Sequence, residues 1–305
     1  MDILEVKNLK KSFNGHAVIK DLSFQVPEHS VFGFLGENGA GKTTTMKMIL
    51  GLLQPDDGEI RIAGNKVSYG ETKTNRMIGY LPDVPEFYSY MRAKEYLKLC
   101  GEVSGMTAKK IQDKSGELLE IVGLKDVKQK IGGYSRGMKQ RLGIAQALLN
   151  DPRLLLCDEP TSALDPVGRK EILDILSVVK SQMTVVFSTH ILSDVERICD
   201  RVAVLHDGKL ALCGGLEELK SGHKRDEMIL ELTNEQDARR LQEILTKTEG
   251  ITAVGRTRFA LTIQVQDVQK SSLQILSLVL REQMQVLKYE VQEPNLETLF
   301  MEVVK

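Results

Sequence analysis

The 305-residue chain is long enough for about two domains with a substantial core, and its 42% hydrophobic and 27% charged residues are those of a globular protein in water. A formal net charge of −1 leaves no positive surplus for a phosphate backbone; nucleic-acid binding would need a local basic patch, and the sequence shows none. No stretch approaches the roughly 20 apolar residues of a membrane helix, and the 4 cysteines form no C-x-x-C pair, which reads as structural thiols in a reducing compartment.

Residues 1–13 alternate charged and apolar side chains and lack the continuous apolar core of a secretion signal, so no export leader is expected. Residues 2–26 read as alternating strands around Asn14-Gly15, a strong hairpin signal. The apolar run Val31-Phe32-Gly33-Phe34-Leu35 then leads into Gly36-Glu37-Asn38-Gly39-Ala40-Gly41-Lys42-Thr43, which fits G-x-x-x-x-G-K-[ST], and Thr44 opens a helix-prone stretch to Leu50. Strand, glycine loop and helix N-terminus together make a nest of backbone N–H groups, and the helix dipole adds positive potential where polyphosphate charge must sit. Lys42 is then placed for the β- and γ-phosphates and the Thr43 hydroxyl for Mg²⁺.

Gln54-Pro55-Asp56-Asp57-Gly58 is a turn leading into Glu59-Ile60-Arg61-Ile62, read as an edge strand. After Ile78-Gly79-Tyr80-Leu81-Pro82-Asp83 comes an aromatic cluster, Phe87, Tyr88 and Tyr90 with Met91. Over residues 85–150 the period turns helical, with Tyr96, Leu97 and Cys100 and then Ile111, Leu118, Leu119 and Val122 at three- and four-residue spacings. Within it lies Tyr134-Ser135-Arg136-Gly137-Met138-Lys139-Gln140-Arg141, running into a helix to Leu149.

Arg153-Leu154-Leu155-Leu156-Cys157-Asp158-Glu159-Pro160 is a buried-strand run that ends in two carboxylates. Asp158 at the strand end is suited to hold Mg²⁺ through water. Glu159, one step on, points elsewhere and is suited to polarise an attacking water as general base. Thr161-Ser162-Ala163-Leu164-Asp165 follows, and the strand Val185-Val186-Phe187-Ser188-Thr189-His190 ends on a lone histidine that could contact a γ-phosphate. His16, His29, His206 and His223 have no such setting and read as structural. Residues 154–212 alternate strand and helix patterns, which suggests parallel β-α units.

Gly214-Gly215 and the polar run Lys220-Ser221-Gly222-His223-Lys224-Arg225 mark a boundary that divides the chain into residues 1–222 and 223–305. Beyond it come a strand (228–232), a helix with Ala238, Leu241 and Leu245 on one face, a short strand (251–254) and a strand with Phe259, Leu261, Ile263 and Val265. A helix with Leu273, Leu276 and Leu280 and a strand with Leu287, Tyr289 and Val291 complete a β-α-β-β-α-β order compatible with a ferredoxin-like α+β fold. A terminal helix over residues 295–304 is expected to return to the first domain. No catalytic constellation falls here, so the part reads as a dimerisation or stabilising appendage, with a small-molecule sensor as the alternative.

Taken in order, these motifs resemble the ATP-binding cassette (ABC) ATPases, and the resemblance covers roughly residues 2–220. It implies an α/β P-loop cassette with a helical subdomain over about residues 85–150, ATP and Mg²⁺ as ligands, and hydrolysis within a dimer that sandwiches the nucleotide, either a homodimer or a heterodimer with another cassette subunit. Carried over residue by residue, it makes Phe13 the aromatic stacked on adenine, Lys42 and Thr43 the phosphate-loop pair, and Asp158 and Glu159 the magnesium carboxylate and catalytic base. Asp165 matches the aspartate that communicates across the dimer and His190 the switch histidine. Ser135 and Gly137 match the signature serine and second glycine, which meet the γ-phosphate bound to the opposite subunit.

The chain departs from the family pattern in two places. The first signature glycine is Arg136 and the signature glutamine is Met138, so one backbone position is expected to lose its freedom to take φ > 0. Asp83 stands where most of the family has a glutamine that touches Mg²⁺ and the attacking water, so the resemblance makes it, with Thr43 and Asp158, a magnesium-site residue. This form of signature resembles cassettes that serve ABC-2-type exporters. That implies separate membrane permease subunits, with residues 87–91 near the groove that receives them, a cytoplasmic location on the inner face of the cell membrane, and an amphipathic cargo. A soluble cassette acting on nucleic acid or ribosomes is the alternative, but the chain has neither a long coiled-coil insertion nor a second cassette; a P-loop kinase would leave Ser135, Glu159 and His190 unexplained.

Overall fold

The structure is a computed structural model that describes residues 1–70, 73–222, 227–292 and 296–303. The chain forms two compact units, Met1–Glu217 together with the chain from Phe300 on, and Glu218–Leu299.

In the first unit β1 (Asp2–Phe13) and β2 (His16–Pro27) form the expected hairpin, with Asn14 and Gly15 at φ 49° and 79°. Next come β3 (Val31–Gly36), α1 (Lys42–Ile49), β4 (Asp57–Ile62), β5 (Asn65–Lys66) and β6 (Ile78–Leu81). The helical stretch is α2 (Ala93–Val103), α3 (Ala108–Ile121) and α4 (Arg136–Leu148), and the chain returns through β7 (Leu154–Asp158), α5 (Pro166–Val179), β8 (Thr184–Thr189), α6 (Leu192–Ile198), β9 (Arg201–His206) and β10 (Lys209–Gly215) to α7 (Leu216–Gly222), within which the division between the units falls. The strands make a 10-stranded sheet in the order β5-β4-β1-β2-β10-β9-β3-β8-β7-β6.

Strands β6, β7, β8, β3 and β9 pair in parallel, and every residue of β3, β7 and β8 is buried. Continuous apolar runs such as Val31–Leu35 are what a parallel strand covered on both faces requires. Phe24 stacks on Phe32 and Phe34, at centroid distances of 5.6 and 5.4 Å, and anchors the core on the hairpin side. At Gly33 a Cβ would lie 2.9 Å from Cys199 Sγ, so glycine is what lets α6 and its flank close on the sheet. The parallel arrangement aims the C-terminal ends of β3, β7 and β8 at one crevice, where open α/β sheets place their ligands.

Two expectations for this unit need correction. The strand after Gly58 is not the edge, because the turn at Ala63 and Gly64, both at positive φ, folds β5 back outside β4. The alternation over residues 154–212 is parallel only as far as β9; Asp207 and Gly208, at φ 46° and 70°, make a hairpin and β10 runs antiparallel to β9.

The second unit contains β11 (Glu227–Leu232), α8 (Glu235–Leu245), β12 (Ile251–Thr257), β13 (Ala260–Val265), α9 (Val268–Arg281) and β14 (Val286–Val291), an antiparallel sheet in the order β12-β13-β11-β14. That is the β-α-β-β-α-β arrangement the sequence suggests. Its core holds Met228, Leu230 and Leu232 of β11, Leu261 and Ile263 of β13 and the predicted stripe Ala238, Leu241 and Leu245 of α8. The stripe expected on α9 is the wrong one: Ser271, Ile275 and Val279 are buried, whereas Leu273 and Leu280 are 71% and 77% exposed. Ile275 and Val279 share the apolar period with the leucines, so periodicity alone could not say which side meets the sheet. The terminal helix is α10 (Leu296–Val303); Asn295, Val304 and the expected boundary residue His223 lie outside the described residues, and the compact units part earlier, between Glu217 and Glu218.

Ile263 is fully buried in the second unit's core. Ile263→Ala should lower the stability of that unit by about 2–5 kcal/mol. Calorimetry of the full chain should show an earlier unfolding transition with ATP affinity unchanged; a matching loss of ATP affinity would mean the units do not fold separately.

Candidate active site

The loop between β3 and α1 is built by steric demands at its glycines. Gly39 and Gly41 have φ of 88° and 106°, and a Cβ on Gly41 would lie 2.4 Å from Ile19 Cδ1. Gly36 needs to be glycine for a different reason, since a Cβ there would lie 2.5 Å from the Leu205 carbonyl oxygen. Glu37, Asn38, Gly39, Gly41, Lys42, Thr43 and Thr44 line one pocket with Asp83 and Glu159. Gly36 and Ala40 do not line it: Gly36 supplies its carbonyl to Lys42, and Ala40 packs against the core. Inside the first turn of α1, Thr45 donates its hydroxyl to the Gly41 carbonyl at 2.9 Å, which ties the loop to the helix.

Lys42 is 5% exposed and is held at both ends of its reach. Its Nζ donates to the Gly36 and Glu37 carbonyls at 2.7 and 3.2 Å and faces Glu159 Oε1 at 3.1 Å, an ion pair without hydrogen-bond geometry. With side-chain exposures of 6% and 13%, this pair is little screened by salt. The other carboxylate oxygen of Glu159 lies 2.9 Å from His190 Nδ1. The structure thus brings Lys42, Glu159 and His190, three residues separated widely in sequence, into one chain of contacts.

Asp158 and Glu159 are neighbours with different surroundings. Asp158 ends β7 and is 3% exposed, while Glu159 turns into the left-handed region at φ 48°, which sends its side chain to Lys42. Ser188 holds both: its hydroxyl donates to Asp158 Oδ1 at 2.6 Å and accepts from the Glu159 N–H at 3.1 Å. The Ser188 carbonyl accepts from the same N–H at 3.1 Å. Nearby, buried Thr161 donates to buried Asp194 at 2.6 Å, bracing the turn after the acidic pair. Sequence reasoning missed Ser188, Thr161 and Asp194; the available signal was a run of small polar residues, Ser188 and Thr189, in a strand that is otherwise apolar. Burial first, and the charge of Asp158 second, pushes the Tyr80 phenol up to about 12 and raises the Cys157 thiol as well, so both stay neutral beside the acids.

Hard oxygen donors are available here for a magnesium ion, namely the Asp158 carboxylate and the exposed Thr43 hydroxyl. Among the described residues no group of three or more His, Cys, Asp or Glu could cage a metal.

The signature segment opens α4. Ser135 is its N-cap, accepting from the Met138 N–H at 3.2 Å, and Arg136 is the first helical residue. The concern that Arg136 loses access to positive φ therefore falls away, because the position has helical backbone geometry. A Cβ on Gly137 would meet nothing closer than 4.0 Å, so glycine there leaves open surface rather than answering a backbone demand. Asp165 caps α5, accepting from the Gly168 N–H at 2.9 Å, with Pro166 at the first helical position. Phe13 is 43% exposed at the end of β1 with Lys11 Nζ 5.4 Å from its ring centroid, and it does not line the phosphate pocket. In the aromatic cluster Phe87 and Tyr88 pack on Tyr96 at 5.0 and 6.3 Å, while Tyr88 and Tyr90 stay 54% and 62% exposed.

A family model described as "ABC transporter" matches residues 19–162, and one described as "ATP-binding protein DrrA1-3-like, C-terminal domain" matches residues 214–304. The chain is 42% identical over 234 residues to the bacitracin transport ATP-binding protein BcrA of Bacillus licheniformis, covering 75% of this chain and 74% of that one. Among solved structures, one described as an ATP binding subunit of an ABC transporter matches with a TM-score of 0.65 and 32% identity, over 72% of this chain and 92% of the other. The uncharacterized ABC transporter ATP-binding protein YxlF of Bacillus subtilis (strain 168) is 40% identical over 304 residues, covering 99% of both chains. Agreement at that identity over both units carries the assignment: the chain belongs to the ATP-binding cassette family and is the ATP-binding, ATP-hydrolysing subunit of an ABC transporter.

Proposed function

We propose that this subunit dimerises around ATP and Mg²⁺ on the cytoplasmic face of the membrane and drives export of an amphipathic compound through ABC-2-type permease subunits. The observation that carries the catalytic part is the contact chain Lys42, Glu159, His190 at the mouth of the phosphate loop. The cargo class is supported by the bacitracin transport protein among its relatives. Among the described residues no helix is long and apolar enough to cross a membrane, which agrees with a separate permease. The ATP-binding part is assigned to residues 1–222 and the accessory part to residues 223–305.

In this reading the loop residues Glu37 to Gly39 and Gly41 to Thr44 bind the phosphates, with Gly36 and Ala40 shaping the loop behind them; Phe13 stacks on adenine, and Lys42 balances the β- and γ-phosphate charge. Thr43 and Asp158 hold Mg²⁺, which neutralises charge that develops on the phosphates, and Asp83 stands at the rim of the same pocket. Glu159 accepts the proton of the attacking water at its carboxylate, oriented by Lys42 on one oxygen and His190 on the other. Ser135, Gly137 and Asp165 serve the nucleotide of the opposing subunit. Binding favours the closed dimer, and hydrolysis removes that differential affinity.

Glu159→Gln keeps the shape and removes the base. Phosphate release should fall about 10²- to 10⁴-fold with ATP still bound and dimers accumulating in gel filtration; near-normal turnover would take Glu159 out of the role.

Ser188→Ala removes the hydroxyl shared by Asp158 and the Glu159 backbone. Losing a buried hydrogen bond to a charged group is worth about 1–3 kcal/mol, so turnover should drop about 10- to 100-fold. ATP affinity measured without Mg²⁺ should hardly change, and a large loss there would point to a damaged fold instead.

Phe13→Ala should weaken ATP binding by about 1–3 kcal/mol, the worth of base stacking on an aromatic. Inorganic triphosphate should bind the variant and the natural chain equally; equal losses for both ligands would show that the ring supports the fold rather than the base.

A further inference from the structure

Two side chains that sequence reading treated separately are bonded to each other. Arg136 Nη2 donates to Asp83 Oδ1 at 3.3 Å, with the two side chains 44% and 46% exposed. Asp83 lines the phosphate pocket together with Lys42, Thr43 and Glu159. It also lines a second hollow, shared with Glu86, Phe87, Arg136 and Lys139. Its carboxylate therefore stands on the wall between the nucleotide pocket and the helical stretch.

The backbone beneath it is fixed from the same helix. Gln140, fully buried on α4, donates Nε2 to the Asp83 carbonyl at 2.6 Å. Gly143, one turn further on, lets Leu81 approach so closely that a Cβ would lie 2.5 Å from Leu81 Cδ1. Helix α4 thus holds the end of β6, the Asp83 main chain and the Asp83 side chain.

An acid at the rim of a polyphosphate pocket adds negative charge beside negative charge. Its effect depends on where it points and on whether a cation answers it. We propose that Arg136 is a positioning residue for nucleotide binding: by pairing with Asp83 it turns that carboxylate away from the phosphates and cancels its charge. The signature arginine thereby sets the ATP affinity of its own subunit's pocket, a role separate from any contact with the opposing subunit. The proposal rests on ATP binding at the phosphate loop.

The test is a double-mutant cycle on the full-length protein, with equilibrium binding of ATP, ADP and adenosine to the natural chain, Arg136→Ala, Asp83→Asn and the double variant. Arg136→Ala should weaken ATP binding about 3- to 30-fold, the span for a partly screened carboxylate near several phosphate charges. The loss should be smaller for ADP and absent for adenosine. In the Asp83→Asn background the same substitution should change ATP affinity less than about 2-fold, and Arg136→Lys should restore most of the affinity because the charge matters more than the fork. Melting temperatures separate an electrostatic effect from a structural one, since both side chains sit half in water. An equal ATP loss with and without Asp83, a loss that extends to adenosine, or no loss in Arg136→Ala would each overturn the proposal. Failure of the natural chain to bind ATP would instead overturn the assignment of the pocket.

Discussion

One ammonium group organises this molecule's chemistry. Lys42 is almost wholly enclosed, and an enclosed charge is tolerated only when it is paired and hydrogen-bonded. The loop carbonyls of Gly36 and Glu37 and the carboxylate of Glu159 meet that requirement. In doing so they bind a glycine loop near residue 40 to a strand end near residue 159, and through His190 to the next strand. The parallel sheet brings those segments to the same edge, and the lysine fixes their distances.

The same constraint explains why the two neighbouring acids have different surroundings. A strand would send Asp158 and Glu159 to opposite faces; the left-handed turn at Glu159 instead brings its carboxylate to Lys42. Positive φ in a residue with a side chain carries a cost, and it persists where surrounding contacts over-determine it. Here the Glu159 N–H is received by both oxygens of Ser188. The geometry of the acidic pair thus rests on a serine that touches no nucleotide atom in any step proposed for it.

Much of this was legible in the sequence, for identifiable reasons. The phosphate loop reads directly because Gly39 and Gly41 are required by backbone conformation and Gly36 by close approach, so residue type and geometry coincide. The hairpin at Asn14-Gly15 and the β-α-β-β-α-β order were readable for the same kind of reason, local turn chemistry combined with period. What could not be read was everything that depends on partners distant in the chain. Ser188 gains its role only because β7 lies beside β8, with Asp158 opposite Ser188 in the register. The buried side of α9 was misjudged because Leu273 and Leu280 compete with Ile275 and Val279, and only the sheet decides between them. Arg136 looked like a loss of backbone freedom and is an ordinary helical residue whose side chain reaches Asp83.

The sheet order has a further consequence, in biosynthesis. β3, which carries the phosphate loop, pairs with strands made much later: Val31 meets Val185 and Gly36 meets Leu205. Contacts of such sequence separation form slowly, because loop closure precedes any gain from pairing. As the chain leaves the ribosome, β3 emerges early with neither of its strand partners, which arrive only with β8 and β9. Until then β3, whose every residue is buried in the finished sheet, has no strand to cover it, and an uncovered apolar strand is the kind of surface that favours aggregation.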